Sequence, residues 1–135
     1  MHSPAILYPV FALVAWTFAV LLAVAGLRFA SKVHPSHFAL GESEKVPLRA
    51  RLANRNYMNL LELPMLFYTA CALLYSANAA SAMALQLAWA YVILRVVHSV
   101  VHIGYNNVIH RLIAFAVGNF VLMGLWISAW NALAP

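Results

Sequence analysis

The sequence predicts an all-α integral membrane protein, a bundle of four transmembrane helices. Three observations predict it. Hydrophobic residues make up 65% of the 135 and charged residues only 8%, whereas a soluble domain carries about 25% charge. Four apolar stretches follow one another, each near the roughly 20 residues that a helix needs to cross the hydrocarbon core. No stretch alternates apolar and polar residues with a period of two, and none carries a heptad series, a low-complexity tract or a clear repeat, which excludes strands, coiled coils and solenoids. Residues 1–135 therefore form a single membrane domain with helices over about 5–28, 48–75, 80–104 and 108–131.

The first helix runs from about Ala5 to Leu27, uncharged and rich in Leu, Val, Ala and aromatic residues, and ends at Arg28 and Lys32. A cleaved signal peptide is the rival, because Ala23-Val24-Ala25 mimics a cleavage site. Met1-His2-Ser3-Pro4, however, lacks the basic start of such a leader, so an uncleaved span is expected. From Ser31 to Pro47 the chain turns polar, with Pro35, Gly41, Glu42, Glu44 and Pro47, and reads as a loop with little regular structure. The second helix extends from Leu48 to about Tyr75. Pro64 removes one of its backbone hydrogen bonds and is expected to bend it. Ser76, Asn78 and Ser81 mark a short turn before the third helix, about Ala80 to Gly104. Gly104-Tyr105-Asn106-Asn107 is the next turn, and the fourth helix follows from about Val108 to Trp130 with Arg111 in its first turn.

Charge is unevenly placed. Arg28, Lys32, Lys45, Arg49, Arg51 and Arg55 account for six of the eight basic residues. Basic residues flanking a span mark the cytoplasmic side, which puts this loop and the 104–107 turn in the cytoplasm and both termini outside. Some of these side chains would meet anionic lipid headgroups. The net charge of +5 is thus a membrane signal, and nucleic acid is not an expected partner. The single Cys71 excludes an internal disulfide and a multi-cysteine metal site and reads as helix packing.

Against this background the stretch RLANRNYMNLLE, Arg51 to Glu62, stands out. At about 100° per residue Arg51, Arg55, Asn59 and Glu62 fall within about 80° of one helical face. Arg95, His98, His102 and Tyr105 share a similar arc on the third helix. By the predicted topology both stripes and Arg111 reach the same cytoplasmic half. An ionised side chain facing lipid at mid-bilayer costs at least about 2.5 to 3.5 kcal/mol, so these groups should face the bundle interior or a second subunit. Two readings compete: an ion pair of Glu62 with an arginine that fixes helix packing, or a ligand site. As a site, the arginines would clamp carboxylates and Asn59 would supply an amide, while Glu62 would accept from an ammonium or orient an arginine. Arg111 would favour the thiolate form of a bound thiol, or serve only as a topology determinant, as Arg49 and Arg51 can by reaching headgroups. The i, i+4 pair His98 and His102 has a spacing compatible with metal or haem ligation, but lacks an accompanying Cys or acidic cluster. Hydrogen-bonded packing or a place in a substrate pocket is expected instead, with no metal.

Two segments resemble a known family. Arg55-x-x-x-Asn59-x-x-Glu62 continuing as LPMLFY is similar to the second-helix signature of the membrane-associated proteins in eicosanoid and glutathione metabolism, which include microsomal glutathione transferases. RVVHSVVHIGYNNVIHR, from Arg95 to Arg111, is similar to the corresponding region of the family's bacterial members. The resemblance covers most of the chain from Arg49 onward. It implies a homotrimer of four-helix bundles with glutathione bound as co-substrate between subunits near the cytoplasmic face. It further implies binding by Arg51, Arg55, Asn59 and Glu62, a looser contribution from Arg28, and thiolate stabilisation by Arg111. The third-helix half, Arg95, His98, His102 and Tyr105, departs from the better-known enzymes: His102 stands where some carry Tyr, Tyr105 is displaced by nearly a turn, and Leu63 replaces a Tyr after Glu62.

The expected function is a thiol transferase, with peroxidase-like activity, in a bacterial inner membrane. It would join the thiolate to a hydrophobic electrophile delivered by the lipid. The alternatives are a non-catalytic bundle that binds lipid or a partner membrane protein, and a small proton-coupled exporter titrating Glu62.

Overall fold

The computed structural model describes residues 4–38 and 43–134; Met1, His2, Ser3, Gly41 and Glu42, invoked above for the chain start and the loop, lie outside them. The described chain is helical. A 3-10 turn, Pro4–Ile6, leads into α1 (Leu7–Ala30), and α2 (Leu48–Leu61), α3 (Pro64–Ser76), α4 (Ala82–Ile103) and α5 (Val108–Leu133) follow. α2 and α3 together make one span, so four segments are long and apolar enough to cross a membrane: Pro4–Ala30, Leu48–Ser76, Ala82–Ile103 and Val108–Leu133. The protein is an all-α integral membrane protein with the composition of a four-helix bundle. The loop after α1 contains one short regular piece, the 3-10 helix Pro35–Phe38.

The long second helix of the sequence reading is two helices. α2 stops at Leu61, Glu62 leaves the helical region (φ −83°, ψ −92°), and Pro64 opens α3 as its first residue. Proline lacks the N–H that a first helical residue would leave unsatisfied, so that position suits it. The bend expected at Pro64 is therefore a break at the two residues before it. Glu62 is carried out of the helical register that Arg51, Arg55 and Asn59 share.

The apolar core lies around Phe67 of α3, which stacks on Tyr91 of α4 with ring centroids 4.9 Å apart. Ile6, Leu13, Leu74 and Leu125 close around this pair, and Ala70, Ala84, Ala88 and Ala129 are buried beside it. Small side chains let helix backbones approach closely, which is how helices associate where lipid removes the hydrophobic incentive. Outward faces are as apolar as the core: Phe11, Phe18 and Leu22 on α1 and Phe120, Met123 and Ile127 on α5 are all exposed, as a chain solvated by hydrocarbon requires.

The short connections are specified by local chemistry. Ser81 caps α4 by accepting from Ala84 N–H (3.1 Å). Asn107 caps α5 by accepting from the N–H groups of Ile109 (3.0 Å) and His110 (3.1 Å), as a capping Asn does. Between α4 and α5 the chain passes so close to itself that a Cβ on Gly104 would lie 2.7 Å from the Val100 carbonyl oxygen. Replacing Gly104 with Ala is therefore expected to distort this corner and cost roughly 1 to 3 kcal/mol. Thermal unfolding in detergent checks it, and an unchanged midpoint would contradict the steric account.

Candidate functional site

The polar residues converge at the end of the bundle where α2 begins, α4 ends and α5 begins. A cavity of about 450 Å³ there is lined by Arg55, Met58 and Asn59 from α2, His98 and His102 from α4, and Val108, Arg111, Leu112 and Phe115 from α5. Helical spacing explains the convergence. Arg55 and Asn59, His98 and His102, and Arg111 and Phe115 are each four residues apart, so each helix offers two side chains, one above the other, on the face turned to the cavity. The lining carries two guanidinium groups and no carboxylate, so its fixed charge is positive.

The α4 to α5 corner holds the site's geometry. His98 Nδ1 lies 3.1 Å from the Arg111 carbonyl oxygen. A carbonyl only accepts, so Nδ1 carries the hydrogen and donates it, and in the neutral ring Nε2 is then the acceptor. Among the described residues that nitrogen is buried without a partner, as are both ring nitrogens of His102. The two imidazoles meet edge to face with centroids 5.6 Å apart. The Arg111 Nη1 donates to Asn106 Oδ1 (3.2 Å), so both the backbone and the side-chain head of Arg111 are tied down. Among the described residues no three His, Cys, Asp or Glu side chains gather at metal-ligand spacing.

The other candidates are placed differently. Arg95 is 2% exposed and lies deeper than the cavity: its Nε donates to Tyr91 Oη (2.9 Å) and its Nη2 to Asn119 Oδ1 (3.1 Å). Its guanidinium also lies 5.0 Å from the Tyr91 ring centroid and 5.1 Å from that of Phe115, within the range of a cation–π contact. Arg28, at the end of α1, donates to Asn54 Oδ1 (2.8 Å) and sits over the Phe38 ring, outside the cavity lining. Arg51 is half-buried and Glu62 is exposed at the helix break, neither lining the cavity. Tyr105 is not on the α4 stripe, because α4 ends at Ile103. It is 64% exposed and pairs with His110 Nδ1 (2.9 Å).

A family model described as MAPEG family matches residues 6–131, nearly the whole chain and all four spans. The chain belongs to the MAPEG family. No curated protein and no solved structure matches it. As a MAPEG protein it is an integral membrane protein of a family associated with eicosanoid and glutathione metabolism, and both halves of its cavity lie inside the matched region.

Three contributors to this MAPEG site escape sequence reasoning. Phe115 and Asn119 continue from Arg111 in steps of four, the same signal that identified the other two stripes, but on the fourth helix the sequence reading rests on Arg111 alone. Asn106 sits in a turn, where helical spacing offers no guide. The Arg95 arrangement makes a testable demand on Asn119. Asn119→Leu keeps the side-chain size while removing the acceptor from a buried guanidinium, and should lower stability by about 1 to 3 kcal/mol. Chemical denaturation in detergent measures this, and wild-type stability would show that Arg95 does not depend on the bond.

Proposed function

We propose that this MAPEG protein is a membrane-embedded thiol transferase that binds glutathione, or a related cytosolic thiol, in the cavity at the α4–α5 corner. The observation that carries the reading is that Arg55, Asn59 and Arg111 line one cavity without a carboxylate. A tripeptide thiol brings two carboxylates and, once ionised, a thiolate, and this lining answers those charges with guanidinium and amide donors. Arg111 stabilises the thiolate. The thiol proton passes to water, sulfur attacks an electrophilic carbon, an S–C bond forms, and the leaving group departs with the bonding pair. With a lipid hydroperoxide as acceptor, two thiols become a disulfide while the peroxide is reduced to alcohol and water. The exposed apolar faces of the helices favour a hydrophobic small-molecule substrate that arrives through the bilayer.

The same reading takes the protein as a homotrimer in a bacterial inner membrane, with both termini periplasmic and the site toward the cytoplasm. Glu62 supports the oligomer. It is exposed in the middle of the Leu48–Ser76 span, where contact with lipid is costly and a neighbouring subunit would supply cover. Arg28, Arg51, Arg95 and Tyr105 complete the proposed binding set, exposed Tyr105 and half-buried Arg28 and Arg51 by reaching the neighbouring subunit and Arg95 by its charge beneath Phe115. Glu62 also favours a second reading, a proton-coupled exporter that titrates this carboxylate.

Purified protein in detergent should bind glutathione and conjugate it to an activated aryl halide. Arg111→Ala should lower turnover roughly a hundredfold, and Asn59→Ala should mainly raise the KM for the thiol. No binding at millimolar glutathione would overturn the reading. Loss of pH-coupled efflux in Glu62→Gln, with conjugation absent from the wild type, would favour the exporter.

A further inference from the structure

We propose that Asn106 is a positioning residue that holds the Arg111 guanidinium at the cavity without neutralising it; this rests on the reading of Arg111 as the thiolate-stabilising group. Arginine carries a long, flexible side chain, and Arg111 stands in the first turn of α5. The restraint comes from the preceding turn. Asn106 Oδ1 accepts from Arg111 Nη1 at 3.2 Å.

Asn106 is itself held by an uncommon backbone. Its φ is 48°, in the left-handed region that Asn tolerates better than most side chains. Its N–H donates to the Val101 carbonyl at 2.8 Å, closing the end of α4. The carboxamide is thus delivered just past the helix terminus, and the terminus is locked by the tight Gly104 passage two residues back. On the other side, His98 Nδ1–H holds the Arg111 carbonyl. α4 and the turn that follows it therefore grip Arg111 at two points, His98 of α4 on the backbone oxygen and Asn106 of the turn on the guanidinium.

The choice of an amide is chemically pointed. A guanidinium offers five N–H donors and any oxygen acceptor can orient it. A carboxylate would also pair with its charge and weaken the field that an incoming anion meets. A neutral carboxamide takes one donor, fixes the plane and leaves the positive charge for the ligand.

The test separates the side chain from the turn. Asn106→Gly keeps the left-handed backbone, which glycine adopts freely, and removes only the carboxamide. With glutathione bound, the ultraviolet thiolate absorbance followed against pH reports the ionisation midpoint of the thiol. Asn106→Gly should move that midpoint upward and lower kcat at neutral pH by about threefold to tenfold. The KM for glutathione and the unfolding temperature should stay close to wild type. Asn106→Asp should move the midpoint further the same way, because its carboxylate pairs with Arg111. If Asn106→Gly titrates like wild type while Arg111→Ala loses the thiolate signal, the role of Asn106 is overturned and that of Arg111 stands. If Asn106→Gly lowers kcat only together with the unfolding temperature, the contact is structural and the proposal fails. If the wild type shows no thiolate signal, the reading of the site fails, and this inference with it.

Discussion

A guanidinium buried between two membrane-spanning helices dominates the polar half of this bundle. Arg95 stands past the middle of α4, 2% exposed, where a cation left to hydrocarbon would be among the costliest groups in the chain. Its described partners are neutral. Tyr91 Oη and Asn119 Oδ1 accept from it, and the rings of Tyr91 and Phe115 lie against it. Tyr91 is on its own helix, whereas Asn119 and Phe115 are on α5, so satisfying Arg95 sets the register of α4 against α5. The polar end of the bundle inherits that register. His98 comes one turn further along α4, opposite the Arg111 carbonyl, and His102 comes one turn beyond. A slip between the helices would break the Arg95 and His98 contacts together.

The same pattern explains the sign of the cavity. Arg95 meets amide, phenol and ring faces, and Arg111 meets an amide, so the charges of both are oriented rather than cancelled. Arg55 adds a third cation at the cavity wall. Phe115 lines the cavity on one side and touches the Arg95 guanidinium on the other, so the positive potential extends beneath an apolar floor. In a low-dielectric surrounding such charges act over longer distances than in water. An anion entering the site would meet donors and fixed charge with little reorganisation required, the condition that the proposed stabilisation of a thiolate calls for.

Much of this was legible in the sequence, and the failures are local. Spans are set by composition over about 20 residues, so the four apolar segments could be read directly, and the four-residue spacings of Arg55 with Asn59 and of His98 with His102 placed each pair on one face. Sequence periodicity assumes an unbroken helix, and it failed where the helix stops. Periodicity groups Glu62 with Arg51, Arg55 and Asn59, but Glu62 falls at the α2–α3 break, and it groups Tyr105 with Arg95, His98 and His102, but Tyr105 lies past the end of α4 at Ile103. The signs of both stops, Pro64 and Gly104, were in the sequence. What spacing could not supply was the exact residue at which each helix leaves its register. Asn54 and Asn106, which hold Arg28 and Arg111, act across a loop or within a turn, and no periodicity predicts such partners.

The positions of the exposed charges bear on the proposed assembly. Arg55 and Glu62 are both exposed on the single chain, yet both belong to a segment that crosses the membrane. Arg55 sits in the first third of the Leu48–Ser76 span, from which a long side chain can reach toward the headgroup region while its stem stays in the apolar zone. Glu62 has neither the length nor the position to do so. The break in front of Pro64 keeps the Glu62 and Leu63 carbonyls paired, with the N–H groups of Met65 (3.2 Å) and Leu66 (3.0 Å), so the demand for cover at this place comes from the carboxylate. In the proposed homotrimer a neighbouring surface would answer it, and would also close the open side of the cavity bounded by Arg55 and Asn59. Assembly would then draw on the end of α2 and ligand binding on its Arg55–Asn59 face, so a change at Glu62 should be felt in the trimer contact before it is felt at Arg111, which α4 and the turn after it hold from within its own subunit.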